Sequence, residues 1–251
     1  MTRDPAEGVD ADGYLVTGAD VARIPAVYRP VLDDCAATVT AAFGDRLDGL
    51  YLYGSVATGQ ARPPESDIDL LALWTSTMDN DEVAAVATEL STRHRALARE
   101  VALAQATRES MRLEADQAFL KHYCVPLTGR DIRPELPRFR PSRALADGFN
   151  DDLPALVHRL RSTVDEAPTP AARLAATRKA ARRLLMAAAT IESVSHSTWS
   201  TDRATGAALL ARHHPQWTDV AARALDWSAG RGTADGVEDL LAMGDWLARH
   251  P

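Results

Sequence analysis

The order of hydrophobic patterns along this 251-residue chain predicts an α/β (α+β) domain with a small mixed sheet, followed by an all-α helical bundle. Three observations carry that prediction. Up to about residue 130, apolar runs of strand length alternate with segments of helical period. A stretch reading RPELPRFRPS then places three prolines within eight residues, a spacing that neither a helix nor a central strand tolerates. Beyond it, from about Arg143, every periodic segment is helical and none reads as strand. The domain boundaries expected are 1–141 and 142–251.

The elements follow in order. Residues 1–20 are polar and rich in Gly and Asp, and read as a loose lead-in. IPAVYRPVLDDCAATVTAAFG has helical spacing, with Val27, Val31, Leu32, Cys35 and Val39 on one side and Gly44 as its stop. LDGLYLYGS is a short strand ending in a glycine turn, and SDIDLLALW is a second strand. DNDEVAAVATELSTRHRALA is a helix whose acidic first turn suits the macrodipole. REVALAQAT reads as a third strand and CVPLTGRDI as a fourth. The second half holds about five helical segments, the clearest being AARLAATRKAARRLLMAAATIES and RATGAALLARHH. Asp151 and Asp152 in NDDL mark a helix start, and His213 and His214 a helix end beside Pro215. Trp217, Trp227 and Trp246 fall at helical core positions.

Composition excludes several function classes. A net charge of -7 offers no general basic surface and argues against nucleic acid as partner. The charge is uneven: residues 1–125 carry 20 acidic and 11 basic side chains, a net -9, against +2 for the remainder. Arg or Asp interrupts every candidate bilayer span, and the N-terminus lacks the apolar core of a signal peptide. Cys35 and Cys124 show no metal-ligand spacing and suit two reduced thiols in a cytoplasmic protein. Oligomeric state leaves no mark on the sequence.

The chemistry-bearing residues cluster in YLYGSVATGQARPPESDIDLLALW, residues 51–74. Residues two apart on a strand share a face, so Asp67 and Asp69 aim together while Ile68 and Leu70 point the other way into a core. Two neighbouring carboxylates repel, and a divalent cation relieves the repulsion; an all-oxygen donor set suits Mg²⁺ rather than zinc. A pair of solvated aspartates at a strand start is the plain alternative. The preceding turn adds to the functional reading. Gly54, Ser55 and Gly59 form a small-residue loop after a strand, where backbone amides and a hydroxyl can hold phosphate oxygens. A phosphate cradle ahead of a metal-binding pair meets the needs of phosphoryl or nucleotidyl transfer.

GSVATGQARPPESDIDLLAL resembles the GSxxxG…SDIDL signature of the DNA polymerase β-type nucleotidyltransferase superfamily. The resemblance implies that Gly54 and Ser55 bind the triphosphate, that Asp67 and Asp69 bind Mg²⁺, and that a later strand supplies a third carboxylate. Glu100 is the only acidic residue of REVALAQAT, and a carboxylate beside Val101 and Leu103 is costly unless paired or metal-bound. Its alternative is a surface pair with Arg99 or Arg95. Glu109 and Glu114 lie in helical, solvated context and are weaker candidates.

The helical second half is similar to the aminoglycoside 3''-adenylyltransferases, the streptomycin and spectinomycin resistance enzymes. In that branch the residue matching Glu100 is the catalytic base, and basic residues of the bundle contact ATP phosphates. The branch's usual lysine before the second bundle helix has no clear match; Thr201 or Arg203 occupies the region, and Arg203, with Arg182 or Arg183, is the candidate phosphate contact. The tryptophans that shape the streptomycin site are missing, since residues 106–130 contain none. The resemblance implies an antibiotic-resistance type of activity: Mg²⁺-dependent transfer of AMP from ATP to a hydroxyl of a small cationic acceptor. Its rivals are a protein or RNA acceptor, as in minimal nucleotidyltransferases paired with helical toxins, and a non-catalytic binding module of the same fold.

Overall fold

The computed structural model describes residues 4–249. By its internal contacts the chain divides into two compact units: Met1–Glu7 with Val16–Phe139, and Gly8–Leu15 with Arg140–Pro251.

The lead-in is more structured than its composition suggests. Two short strands, β1 (Gly8–Val9) and β2 (Leu15–Val16), pair as a hairpin. The Asp10 side chain accepts from the Asp12 and Tyr14 amides, both at 2.9 Å, and Gly13 takes φ +81° in the turn. An aspartate that satisfies the backbone of its own turn orders a segment whose polarity suggests looseness.

The first unit is built on a four-stranded mixed sheet. Helix α1 (Arg29–Phe43) stops at Gly44, which takes φ +53°, and β3 (Leu47–Tyr53) follows. One turn of helix, α2 (Gly54–Ala57), leads through a loop to β4 (Ile68–Trp74). Helix α3 (Asn80–Arg93) then crosses to β5 (Val101–Thr107), and α4 (Glu114–Tyr123) leads to β6 (Val125–Gly129). The Asp79 carboxylate caps α3, accepting from the Asp81 amide at 2.7 Å. Strand order is β5-β4-β3-β6; β3 runs antiparallel to β4 and β6, and β4 parallel to β5. This is the small mixed sheet expected from the sequence.

The sheet buries both faces. On one side Leu50, Leu52, Ile68, Leu70 and Trp74 meet Tyr28, Val31, Leu32, Cys35 and Val39 from the α1 region and Val83 and Leu90 from α3. On the other, Tyr51, Leu71 and Leu73 meet Met111, Leu120, Cys124 and Ile132. Burial on both faces explains why LLALW is continuously apolar rather than alternating. Val27, read as part of the inner face of α1, is instead exposed, because it precedes the α-helix in a 3₁₀ turn, Ala26–Tyr28, that turns Tyr28 inward. Both thiols are buried and unpaired, and burial pushes Cys35 up to about 12.

The second unit is helical: α5 (Arg143–Phe149), α6 (Leu153–Asp165), α7 (Pro170–Ser195), α8 (Arg203–His213), α9 (Thr218–Ser228) and α10 (Val237–Arg249). Asp152, Thr169 and Asp202 cap α6, α7 and α8, accepting from Ala155, Ala172 and Thr205. α7 is the axis, touching α5, α6, α8, α9 and α10. Its buried Ala180, Ala181, Ala187, Ala188 and Ala189 let neighbours approach closely. At Gly206 of α8 an added Cβ would lie 2.3 Å from the Leu185 carbonyl oxygen. Trp227 is buried as expected, whereas Trp217 and Trp246 are half-buried. His214 does more than end a helix: its Nε2 lies 3.0 Å from Oε2 of Glu192, which is buried.

Candidate active site

Parallel pairing of β4 with β5 brings the acidic residues together. Ile68 is in register with Val101 and Asp69 with Ala102. The ladder extends one step beyond the strands, with the Ile68 amide donating to the Glu100 carbonyl at 2.9 Å and the Arg99 amide to that of Ser66 at 3.1 Å. Residues in register on parallel strands share a face. Ile68 and Val101 are both buried in the α1/α3 core. Asp67, Asp69 and Glu100 therefore belong to the opposite face, at the N-terminal ends of two adjacent strands.

Asp69 is the most constrained of the three. Burial, and then the charge of Asp67, push its carboxyl up to about 6; Glu100 adds in the same direction and Arg99 opposes. The cross-strand neighbour of Asp69 is Tyr53, the residue before the turn. Burial and the charge of Asp69 push the Tyr53 phenol up to about 12, and its ring meets Phe119 edge-on with centroids 5.1 Å apart. Gly54 takes φ +72°, and a Cβ there would sit 2.2 Å from Oδ2 of Asp69. The glycine is thus required twice, by backbone conformation and by contact with the carboxylate. Ser55 follows in α2, whose first amides make no bond within so short a helix. The turn closes behind it, with the Gln60 amide donating to the Ser55 carbonyl at 2.8 Å and Gly59 at φ +74°.

Glu100 is exposed, and of its two possible surface partners Arg99 is not on it. Arg99 pairs instead with Asp67: Nε donates to Oδ1 at 2.9 Å, and Nη2 bonds Oδ2. Nothing local in the sequence signals this choice, because it depends on which strand lies next to β5. Glu109 pairs with Arg112 at 2.7 Å beyond the far end of β5, and Glu114 is exposed in the first turn of α4. Neither joins the group. Among the described residues, no three His, Cys, Asp or Glu side chains are grouped so that together they could hold a metal ion; Asp67, Asp69 and Glu100 share a face, with Arg99 on Asp67.

In the helical unit, Arg203 is half-buried at the start of α8, and burial together with neighbouring Arg182 holds its guanidinium below the usual arginine value. Arg182 donates Nε to the Ser228 carbonyl at 3.0 Å, and Arg183 pairs with Asp151 at 3.2 Å. Of the three bundle arginines singled out in the sequence, Arg183 is ion-paired with a carboxylate, Arg182 is held by a neutral carbonyl, and Arg203 feels the charge of Asp202.

Residues 41–124 match the family described as Polymerase beta, Nucleotidyltransferase. None of the curated proteins matches the chain. Among solved structures, the chain is similar to the spectinomycin adenyltransferase AAD(9) from Enterococcus faecialis, crystallised with ATP and spectinomycin: identity is 12%, the TM-score 0.53, and the match covers 86% of this chain and 97% of that one. Weaker likenesses are to a tri-AMPylated Shewanella oneidensis HEPN toxin in complex with MNT antitoxin (15% identity, 56% of this chain and 98% of that one, TM-score 0.30) and to a toxin-antitoxin with AMP-PNP (17%, 55% and 98%, 0.32). With the mixed sheet, the Gly54–Ser55 turn and the SDIDL strand, residues 41–124 form a nucleotidyltransferase domain of the polymerase β family.

Proposed function

We propose that this enzyme transfers AMP from ATP to a hydroxyl of a small, cationic acceptor of the aminoglycoside type, with Mg²⁺ at the carboxylates. The observation that carries the reading is the β4–β5 register, which sets Glu100 beside the Asp67/Asp69 pair. The chemistry of the donors supports the metal. Its donors are all hard carboxylate oxygens, and Asp69 bears repulsion from both neighbours that a divalent cation would relieve. When bound, Mg²⁺ supplies charge neutralisation at the phosphates and activates the attacking oxygen. Asp67 and Asp69 hold it, with Glu100 completing the site or acting as base. Ser55 and the Gly54 amide hold triphosphate oxygens at the turn, and Arg203 is a further phosphate contact. With Glu100 as base, its carboxylate takes the acceptor hydroxyl proton, the acceptor oxygen bonds to the α-phosphorus, and the bond from that phosphorus to the bridging oxygen breaks, releasing pyrophosphate. Residues 1–141 act as the catalytic domain and 142–251 as the helical domain.

The net -9 of residues 1–125 supports a cationic acceptor. So does the fold shared with an adenyltransferase whose structure holds ATP and spectinomycin. Pyrophosphate release from ATP and Mg²⁺ across aminoglycosides, a protein hydroxyl panel and RNA ends tests the proposal. Release with a cationic small molecule, and an acceptor mass increased by one AMP, are expected. Release only with protein or RNA would replace the acceptor, and no release with any would remove the catalytic reading.

A further inference from the structure

The pair between Arg99 and Asp67 is placed where a cation is needed. Arg99 directs two nitrogens onto both oxygens of Asp67, a bidentate fork that a lysine cannot reproduce. Its neighbourhood is otherwise negative, with Asp69 and Glu100 also acting on the guanidinium. Arg99 is itself 68% exposed at the side chain, whereas Asp67 is 23% exposed. It can therefore leave into solvent at little desolvation cost, while Asp67 stays anchored by the strand. The Arg99 amide is held separately, by the Ser66 carbonyl, so the side chain can move without loosening the ladder.

We propose that Arg99 is a built-in counter-ion that competes with the divalent cation for Asp67, and so sets the metal affinity of the site. The inference rests on the assignment of Asp67 and Asp69 as metal ligands. Both oxygens of Asp67 are engaged by Arg99, so a metal arriving there meets a carboxylate whose charge the guanidinium already offsets, and the two cations compete for it. Arg99 is a positioning residue in this scheme: it acts on the reaction through Asp67. The chain keeps its three carboxylates partly neutralised before the metal arrives and yields metal affinity in return.

Mn²⁺ binding without nucleotide, followed by calorimetry or by loss of the free-ion paramagnetic resonance signal, tests this directly. Arg99→Ala should bind Mn²⁺ about two- to tenfold more tightly than wild type, the range set by an exposed but bidentate ion pair. Arg99→Lys should lie between them. Arg95→Ala removes a nearby exposed charge that makes no contact with Asp67, and should stay within about twofold of wild type. In an Asp67→Asn background, Arg99→Ala should have no further effect. Equal or weaker binding by Arg99→Ala, with binding still lost in Asp69→Asn, would overturn the counter-ion proposal and leave the metal site standing. If Asp69→Asn binds Mn²⁺ as wild type does, the metal assignment fails and the proposal with it.

Discussion

Asp69 concentrates the electrostatic strain of the carboxylate face. In the folded chain it holds its proton up to about 6, against 3.8 ordinarily. Between those values the folded state binds more protons than the unfolded one, so stability falls as pH rises through the window. Above about 6 the full cost is present, on the order of 2–3 kcal/mol by the usual conversion of pKa to free energy. Asp69→Asn should therefore melt higher than wild type at pH 8 in chelator, and lose that advantage near pH 4. It should also abolish transfer. Thermal unfolding at the two pH values checks the first statement and pyrophosphate release the second; a lower melting point at pH 8 would show that Asp69 is stabilised by its surroundings. At Glu100 the decisive variant is Glu100→Gln, which keeps the size but not the basicity. If Glu100 is the base, single-turnover transfer should fall by roughly 10²–10⁴ with affinity for an ATP analogue retained. If it is an essential metal ligand, affinity and rate should fall together, and if neither changes, Glu100 has no part in the reaction.

At the scale of elements, two glycines show how close approach is built into each unit. Gly54→Ala would force a side chain into a backbone conformation at φ +72° and into Oδ2 of Asp69. The strain alone costs on the order of 1–3 kcal/mol, and displacement of Asp69 should weaken nucleotide and metal binding more than it lowers the melting point. Calorimetry beside thermal unfolding separates the two effects. Gly206→Val should behave oppositely. It pushes α8 away from the Leu185 carbonyl and the Ala189 amide of α7, so stability of the helical unit should drop by at least the 1–3 kcal/mol typical of overpacking. Loss of far-UV helical signal at a lower denaturant concentration is the expected result, with Mn²⁺ affinity of the carboxylate face unchanged.

For the whole molecule, the separation of charge along the chain has a kinetic consequence. A net -9 in residues 1–125 would attract the proposed cationic acceptor through solvent, and salt screens such attraction over about 8–10 Å at physiological ionic strength. Raising monovalent salt from about 0.05 to 0.5 M, a range over which the screening length falls severalfold, should raise the KM for a cationic acceptor with kcat nearly constant. Initial rates at the two salt concentrations measure this; a KM that does not move would argue for an uncharged acceptor. No helix among the described residues is long and apolar enough to cross a membrane, in keeping with the interrupted hydrophobic runs of the sequence.

Much of this protein is legible from local chemistry alone. Strand and helix periods, Gly44 as a stop and the shared face of Asp67 and Asp69 depend on neighbours a few residues away, and apart from Val27, which lies outside α1, they are present as expected. Glu100 is legible in the sequence only as a candidate, because its place beside Asp67 depends on β5 joining β4 in parallel, a pairing made across α3. The partner of Arg99 is not legible there: Asp67 and Glu100 are equally acidic in sequence, and only the ladder decides which one the guanidinium reaches. The same holds for Glu192 and His214, whose buried contact joins two different parts of the helical unit. The order that Asp10 imposes on the Gly8–Val16 hairpin is local, yet composition conceals it. Short-range backbone preferences and side-chain periodicity are properties of the sequence. The pairing of charges from separate strands and helices belongs to the tertiary fold, because Coulomb interactions and hydrogen bonds follow distance in space rather than distance along the chain.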